Sequence, residues 1–215
     1  MMYDLHTHTY YSDGVLGYSE LARRCEVLGY DGLVIADHCD AANLLDVVRR
    51  IAAYCERREK KNYAVDLLPG CELTHVPPGE MAELTTLARE EGAEVVLAHG
   101  ETLVEPVEPG TNRAAIEAGV DVLAHPGLIS KESAQLAADE EVLLEISGRK
   151  GHSLTNGHVA RRARQAGAGL SFGSDGHAPG DYPDPGMMRR ILRGAGLHED
   201  DIDGVEANNR SFFVC

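Results

Sequence analysis

Seven short runs rich in apolar and β-branched residues, at positions 3–6, 32–36, 65–68, 94–98, 120–124, 142–146 and 169–172, recur along the chain with longer amphipathic stretches between them. This alternation is the pattern of repeated βα units around a parallel sheet, and most of the runs are near-continuously apolar, as strands buried on both faces require. The intervening stretches carry helix punctuation. Ser19 can cap a helix that stops at Gly29, Pro78 can open one that stops at Gly92, residues 112–118 end at Gly119, and residues 156–166 end at Gly167. The longest helix is expected over residues 43 to about 61, where Leu44, Val47, Val48, Ile51, Tyr54 and Cys55 share one stripe that should face the sheet. Glu199, Asp200, Asp201 and Asp203 read as a solvated turn. No linker, charge block or low-complexity segment divides the 215 residues, so a single domain over residues 1–215 is expected.

Composition narrows the partners. Twenty Lys plus Arg against 35 Asp plus Glu leave a formal charge of -15, which repels nucleic acid and anionic membranes. No apolar run approaches the roughly 18 residues of a membrane span, and Asp4, His6 and His8 precede any stretch resembling a signal peptide. A cytoplasmic protein without a membrane partner is expected. The five cysteines (Cys25, Cys39, Cys55, Cys71 and Cys215) form no CxxC pair, which indicates reduced thiols, not a disulfide framework.

The chain has ten histidines and no tryptophan, and the positions of the histidines are informative. The first run leads into Asp4-Leu5-His6-Thr7-His8, where strand alternation sends His6 and His8 to the same side. The second leads to Asp37-His38, the third to Cys71-Glu72, the fourth to His99, the fifth to His125-Pro126 and the seventh to Asp175-Gly176-His177. In a parallel barrel these strand ends form one face, the face on which active sites are built. With Asp13 from the loop after the first run, the candidate metal ligands are His6, His8, Asp13, His38, Glu72, His99, His125, Asp175 and His177. One ion takes three or four protein ligands, so this set implies two or three ions with a carboxylate bridging.

The ordered motifs Asp4-Leu5-His6-Thr7-His8-Thr9, Ser12-Asp13-Gly14, Ala36-Asp37-His38, Gly70-Cys71-Glu72, Ala98-His99, Ala124-His125-Pro126 and Gly173-Ser174-Asp175-Gly176-His177 closely resemble the PHP (polymerase and histidinol phosphatase) family. The resemblance implies a distorted (β/α)7 barrel of the TIM type, with a trinuclear site at the C-terminal strand ends and phosphoesterase activity. It distributes the ligands as His6, His8, Glu72 and Asp175 on one ion, Glu72, His99 and His125 on a second, and Asp13, His38 and His177 on a third, with Glu72 bridging. Amidohydrolases also begin with HxH, but they bridge two metals through a lysine where this chain has His99.

Two to three divalent ions, zinc, manganese or iron, would make the site locally positive inside an acidic protein, which favours a small phosphorylated metabolite over a polynucleotide. The expected reaction is hydrolysis of a phosphomonoester by a metal-bound hydroxide, with Asp175, His177 and the bridging Glu72 as the catalytic candidates. The alternatives are a phosphodiesterase or nuclease of the same type, and a non-catalytic metal-binding scaffold, for which the full ligand set is a poor fit. Arg149, Lys150 and His152, in the loop after the sixth run, are the candidate phosphate contacts, and His75 can line the pocket.

Overall fold

In a computed structural model, residues 1–59 and 64–214 are described. The elements run β1 Tyr3–Thr7, α1 Tyr18–Leu28, β2 Gly32–Ile35, β3 His38–Cys39, α2 Leu44–Glu59, β4 Asp66–Leu73, α3 Met81–Glu90, β5 Val95–His99, α4 Thr111–Glu117, β6 Val122–Ala124, α5 Lys131–Asp139, β7 Leu143–Ser147, α6 Asn156–Ala166, β8 Leu170–Gly173, α7 Pro185–Gly194 and α8 Glu199–Ser211. The main strands pair in the order β1-β2-β4-β5-β6-β7-β8, with β3 beside β4, and every pairing is parallel. This is a parallel α/β sheet nearly closed into a TIM-like barrel.

Alternation along the strands splits the core in two. Leu33, Ile35, Val96, Leu123, Leu144 and Ile146 join the layer under the helices, whereas Leu5, Val34, Ala36, Val95, Leu97 and Val122 pack together in a second cluster. Strands β2, β5 and β6 are therefore apolar on both faces. Phe212 and Phe213, just past α8, pack against the second cluster, with the Phe213 ring 4.8 Å from that of Tyr3.

The seam between β1 and β8 is closed largely by side chains. Asn209 donates to the carbonyls of Tyr3 and Phe172, at 2.8 Å each, and accepts from the Phe172 amide at 3.2 Å. Asp4 Oδ1 accepts from the amides of Ser174 and His6, and beyond β8 the backbone pairs directly, Asp175 N–H to His6 C=O at 2.9 Å and His8 N–H to Gly176 C=O at 3.0 Å. Those last bonds clamp the two chain segments that carry His6, His8 and Asp175.

Several expectations need correction. The third apolar run extends through Glu72, so Glu72 stands within β4 and not after it. Pro69, which has no N–H, sits where β4 passes from pairing with β2 to pairing with β3 and β5. Ser19 does not cap α1: Gly17 holds that position, and the Ser19 hydroxyl lies 2.9 Å from the Tyr54 hydroxyl. The acidic cluster is not a turn but the first turns of α8, where negative charge complements the unpaired N–H groups; His198 caps it, its N–H bonded to Asp201. Helices α5 and α7 carry side-chain caps, Ser130 and Asp184, accepting from the amides of Ser133 and Met187. The helix stops at Gly29 and Gly167 do adopt the left-handed backbone, with φ of 87° and 76°. The expected end of α2 near Lys61 and the thiol of Cys215 lie outside the described residues; Cys25, Cys39, Cys55 and Cys71 are buried free thiols. Among the described residues no helix is long and apolar enough to cross a membrane.

Candidate metal centre

All nine candidate ligands meet at the C-terminal mouth of the barrel: Asp13, His38, His99, His125, Asp175 and His177 line a cleft of about 230 Å³, and His6, His8 and Glu72 are buried against them. Glu72 is at the middle. Its Oε1 lies 3.4 Å from both His6 Nε2 and His125 Nε2, while Oε2 lies 2.7 Å from His38 Nδ1 and 3.8 Å from His8 Nε2. One carboxylate thus faces two sets of imidazoles with its two oxygens. Asp175 stands opposite, Oδ1 3.3 Å from His8 Nε2 and 4.0 Å from His6 Nε2, Oδ2 3.6 Å from His125 Nε2. At the outer edge Asp13 Oδ1 approaches His177 Nε2 at 2.9 Å and His38 Nε2 at 3.3 Å.

These separations suit donors arranged around common ions: His6, His8 and Glu72 form one group with ligand atoms within 4.8 Å of one another, and His8, Asp13, His38 and His177 form another. A direct observation favours a cation. His6 Nε2, both ring nitrogens of His8 and Glu72 Oε1 are buried without a hydrogen-bond partner among the described residues, a costly state that metal coordination relieves. Imidazole and carboxylate donors fit zinc, manganese or iron.

The reverse sides of the imidazoles are tied down. His6 Nδ1 lies 2.7 Å from Glu145 Oε1 and His99 Nδ1 3.2 Å from the Gly100 carbonyl, arrangements that leave each Nε2 lone pair for an ion, while His177 Nδ1 is held between the Asp175 carbonyl at 2.9 Å and Arg149 Nη1 at 2.7 Å. Glu145 also accepts from the His125 amide at 2.9 Å. Gly173 makes room for this pair, since a Cβ there would fall 2.1 Å from Glu145 Oε1 and 2.6 Å from His6 Cβ. His75, His125 and Asp175 have positive φ (53°, 28° and 52°), uncommon for residues with a Cβ, so backbone strain concentrates at the cleft.

Electrostatics follow from burial and mutual facing. Burial lowers the pKa of His8 to about 3, which keeps its ring neutral. Burial opposes charge on His38 as well, but Glu72 and Asp13 beside it push its pKa up to about 10; His6 is likewise raised, by Glu145, Glu72 and Asp175 against burial. The carboxyls of Glu72 and Asp175 are buried, yet the surrounding histidines hold both below the ordinary carboxylate range.

Outside the nine, the expectations are redistributed. Arg149 lines the cleft, and its Nη1 donates to the Asp175 carbonyl at 3.1 Å. Lys150 is exposed and does not line the cleft; glycine-flanked sequence cannot say which of two neighbouring cations turns inward. His152 lines the cleft as well. It is 4 % exposed, stacked on His125 with ring centroids 4.0 Å apart, and groups with His99 and His125 as possible ligands. His75 lines the cleft, its Nε2 3.4 Å from Glu105 Oε2. Two carboxylates escaped the sequence reading. Glu145 had a signal, a charge inside the apolar run 142–146; Glu105, in the loop after β5, had none that separates it from other loop acids.

A model of the PHP domain matches residues 4–106. An uncharacterized protein of Methanocaldococcus jannaschii is 40 % identical over 206 residues, 95 % of this chain and 94 % of that protein. Among solved structures, histidinol phosphate phosphatase of Lactococcus lactis, complexed with zinc, L-histidinol and phosphate, superposes with a TM-score of 0.63 at 16 % identity, covering 91 % of this chain and 94 % of that one. The A. niger ochratoxinase gives a TM-score of 0.59 at 14 % identity, covering 98 % of this chain and 70 % of its own. At such identities the structural likenesses show the shared barrel alone.

Proposed function

The chain belongs to the PHP domain family, and we propose that it is a metal-dependent phosphoesterase acting on a small phosphomonoester, of which histidinol phosphate is the model. The observation that carries this reading is the convergence of unpaired, buried His6 Nε2, His8 Nε2 and Glu72 Oε1 on one point at the barrel mouth. The zinc and phosphate of the Lactococcus lactis phosphatase support it. Residues 1–215 then form a single PHP domain, and four buried free thiols suit a reducing cytoplasm.

His6, His8, Asp13, His38, Glu72, His99, His125, Asp175 and His177 would hold two to three divalent ions, with Glu72 between them. Such ions, when bound, supply Lewis acidity and bring the pKa of water from 15.7 to about 7. The chain's own part is orientation. Glu145 sets the tautomer of His6, and the Asp175 carbonyl and Arg149 Nη1 together hold the ring of His177 in place. Arg149 keeps further N–H donors for a phosphate oxygen at the cleft, since a guanidinium has five and only those of Nη1 are engaged, on the Asp175 carbonyl and His177 Nδ1. Asp175, strongly acidic and facing His8, is a poor proton acceptor; it serves as ligand and orienting group, and so does His177.

The test combines elemental analysis with release of inorganic phosphate from histidinol phosphate, sugar phosphates, nucleotides and a model diester. Metal-dependent turnover of a monoester is expected. Rapid diester cleavage with no monoester turnover would replace this reading with a phosphodiesterase, and metal binding without any turnover would replace it with a scaffold.

A further inference from the structure

We propose that Glu105 and His152 are additional ligands of the ion held by His99 and His125, and that Glu105 is the exchangeable one, displaced when an anionic substrate enters; this rests on reading the cleft as a metal centre. Glu105 Oε2 lies 3.1 Å from His99 Nε2, and Oε1 lies 3.4 Å from His152 Nε2. Donors held at about 2.0–2.2 Å from one tetrahedral ion are about 3.3–3.6 Å apart, so the contact with His152 has the length of an edge of a shared coordination sphere and the one with His99 is slightly shorter. The same spacing relates Glu72 Oε1 to His6 and His125, at 3.4 Å each.

His152 has the construction of a ligand. It is buried, its Nδ1 lies 2.7 Å from the Thr102 hydroxyl, and that contact orients Nε2 towards the cleft, where Asp175 Oδ2 is 3.8 Å away. Thr102 and Glu105 belong to the same irregular segment between β5 and α4, which therefore delivers both the support for one donor and the other donor itself.

Glu105 differs from the inner carboxylates. Its side chain is 37 % exposed, against 0 % for Glu72 and 2 % for Asp175, and its ion-pair partners among the described residues are the imidazoles of His75, His99 and His152. It lines the same cleft as Arg149. A carboxylate on an open loop thus occupies ground that a phosphate oxygen must share, and it can swing towards solvent without breaking a regular element. A ligand of this kind holds the ion when no substrate is present and yields to a better anion.

Exchange predicts opposite effects on two affinities. In Glu105→Gln, competition with a chromogenic chelator should show the weakest-bound zinc loosened by about tenfold or more. Isothermal titration of the zinc-saturated protein with inorganic phosphate should show binding tightened by about tenfold, if the displaced form is about a tenth of the resting population. His152→Ala should loosen zinc without tightening phosphate. Glu108→Gln, which removes the same charge from the same loop, should change neither. Zinc affinity in Glu105→Gln equal to that of the unsubstituted protein would overturn the ligand role, and loosened zinc together with weakened phosphate would overturn the exchange. Failure of the unsubstituted protein to bind zinc would instead overturn the metal-centre reading itself.

Discussion

Glu145 Oε1 lies 2.7 Å from His6 Nδ1, and both side chains are almost wholly buried inside the barrel. The pair joins β7 to β1 across the interior. It also fixes which nitrogen of His6 faces Glu72, because a proton shared with Glu145 leaves only Nε2 as a donor. The second oxygen of Glu145 takes the His125 amide, so one carboxylate positions two candidate ligands.

Replacing Glu145 with Gln keeps the volume but exchanges one acceptor for an N–H₂ donor, which cannot serve both His6 Nδ1–H and the His125 amide. Metal affinity should fall by about 10–100-fold, as for other groups that orient a ligand. Chelator competition on the purified variant measures it, and unchanged affinity would remove Glu145 from the centre.

Gly173→Ala places a methyl group 2.1 Å from Glu145 Oε1 and 2.6 Å from His6 Cβ, with β8 paired on that side and unable to retreat freely. The variant should lose about 1–3 kcal/mol of stability to overpacking. Thermal unfolding should show a lowered Tm, and metal content should fall with it. A variant with the parental Tm and full metal content would mean that the pair adjusts without cost.

Metal binding should release protons. The pKa of His38 is pushed up to about 10, so without metal it is protonated at pH 7 and must lose a proton to ligate; His6 and His99 are shifted in the same direction by the carboxylates beside them, whereas His8, at about 3, has no proton to lose. Affinity should therefore rise with pH through neutrality, and at least one proton should leave per fully loaded centre. Calorimetry in buffers of different ionisation enthalpy measures this number, and an observed enthalpy independent of buffer would contradict it.

Arg149→Ala should lower kcat/KM for a phosphomonoester by about tenfold to a hundredfold, the loss of a charge-assisted bond of roughly 1.5–3 kcal/mol. Metal content should stay unchanged. A fall confined to KM would mark a contact made equally in the ground and transition states, while a change under about twofold would leave Arg149 as a clamp on the Asp175 carbonyl and His177.

What the chain's order of residues determined by itself is the barrel and its inner ligands. Apolar runs at regular intervals specify strands buried on both faces, and a period of two then decides that His6 and His8 share a side. A ligand at the end of a parallel strand must reach the common face, so Glu72, His99, His125 and Asp175 were legible without coordinates. Three other features depend on tertiary structure, because each joins segments whose separation in sequence carries no period. Glu145 meets His6 across 139 positions, His152 meets Thr102 across 50, and Asn209 reaches back 206 to satisfy Tyr3 at the seam. The inward turn of Arg149, onto the Asp175 carbonyl and His177 Nδ1, and the outward one of Lys150 were settled the same way, because partners 26 and 28 positions away in sequence meet only in the folded chain.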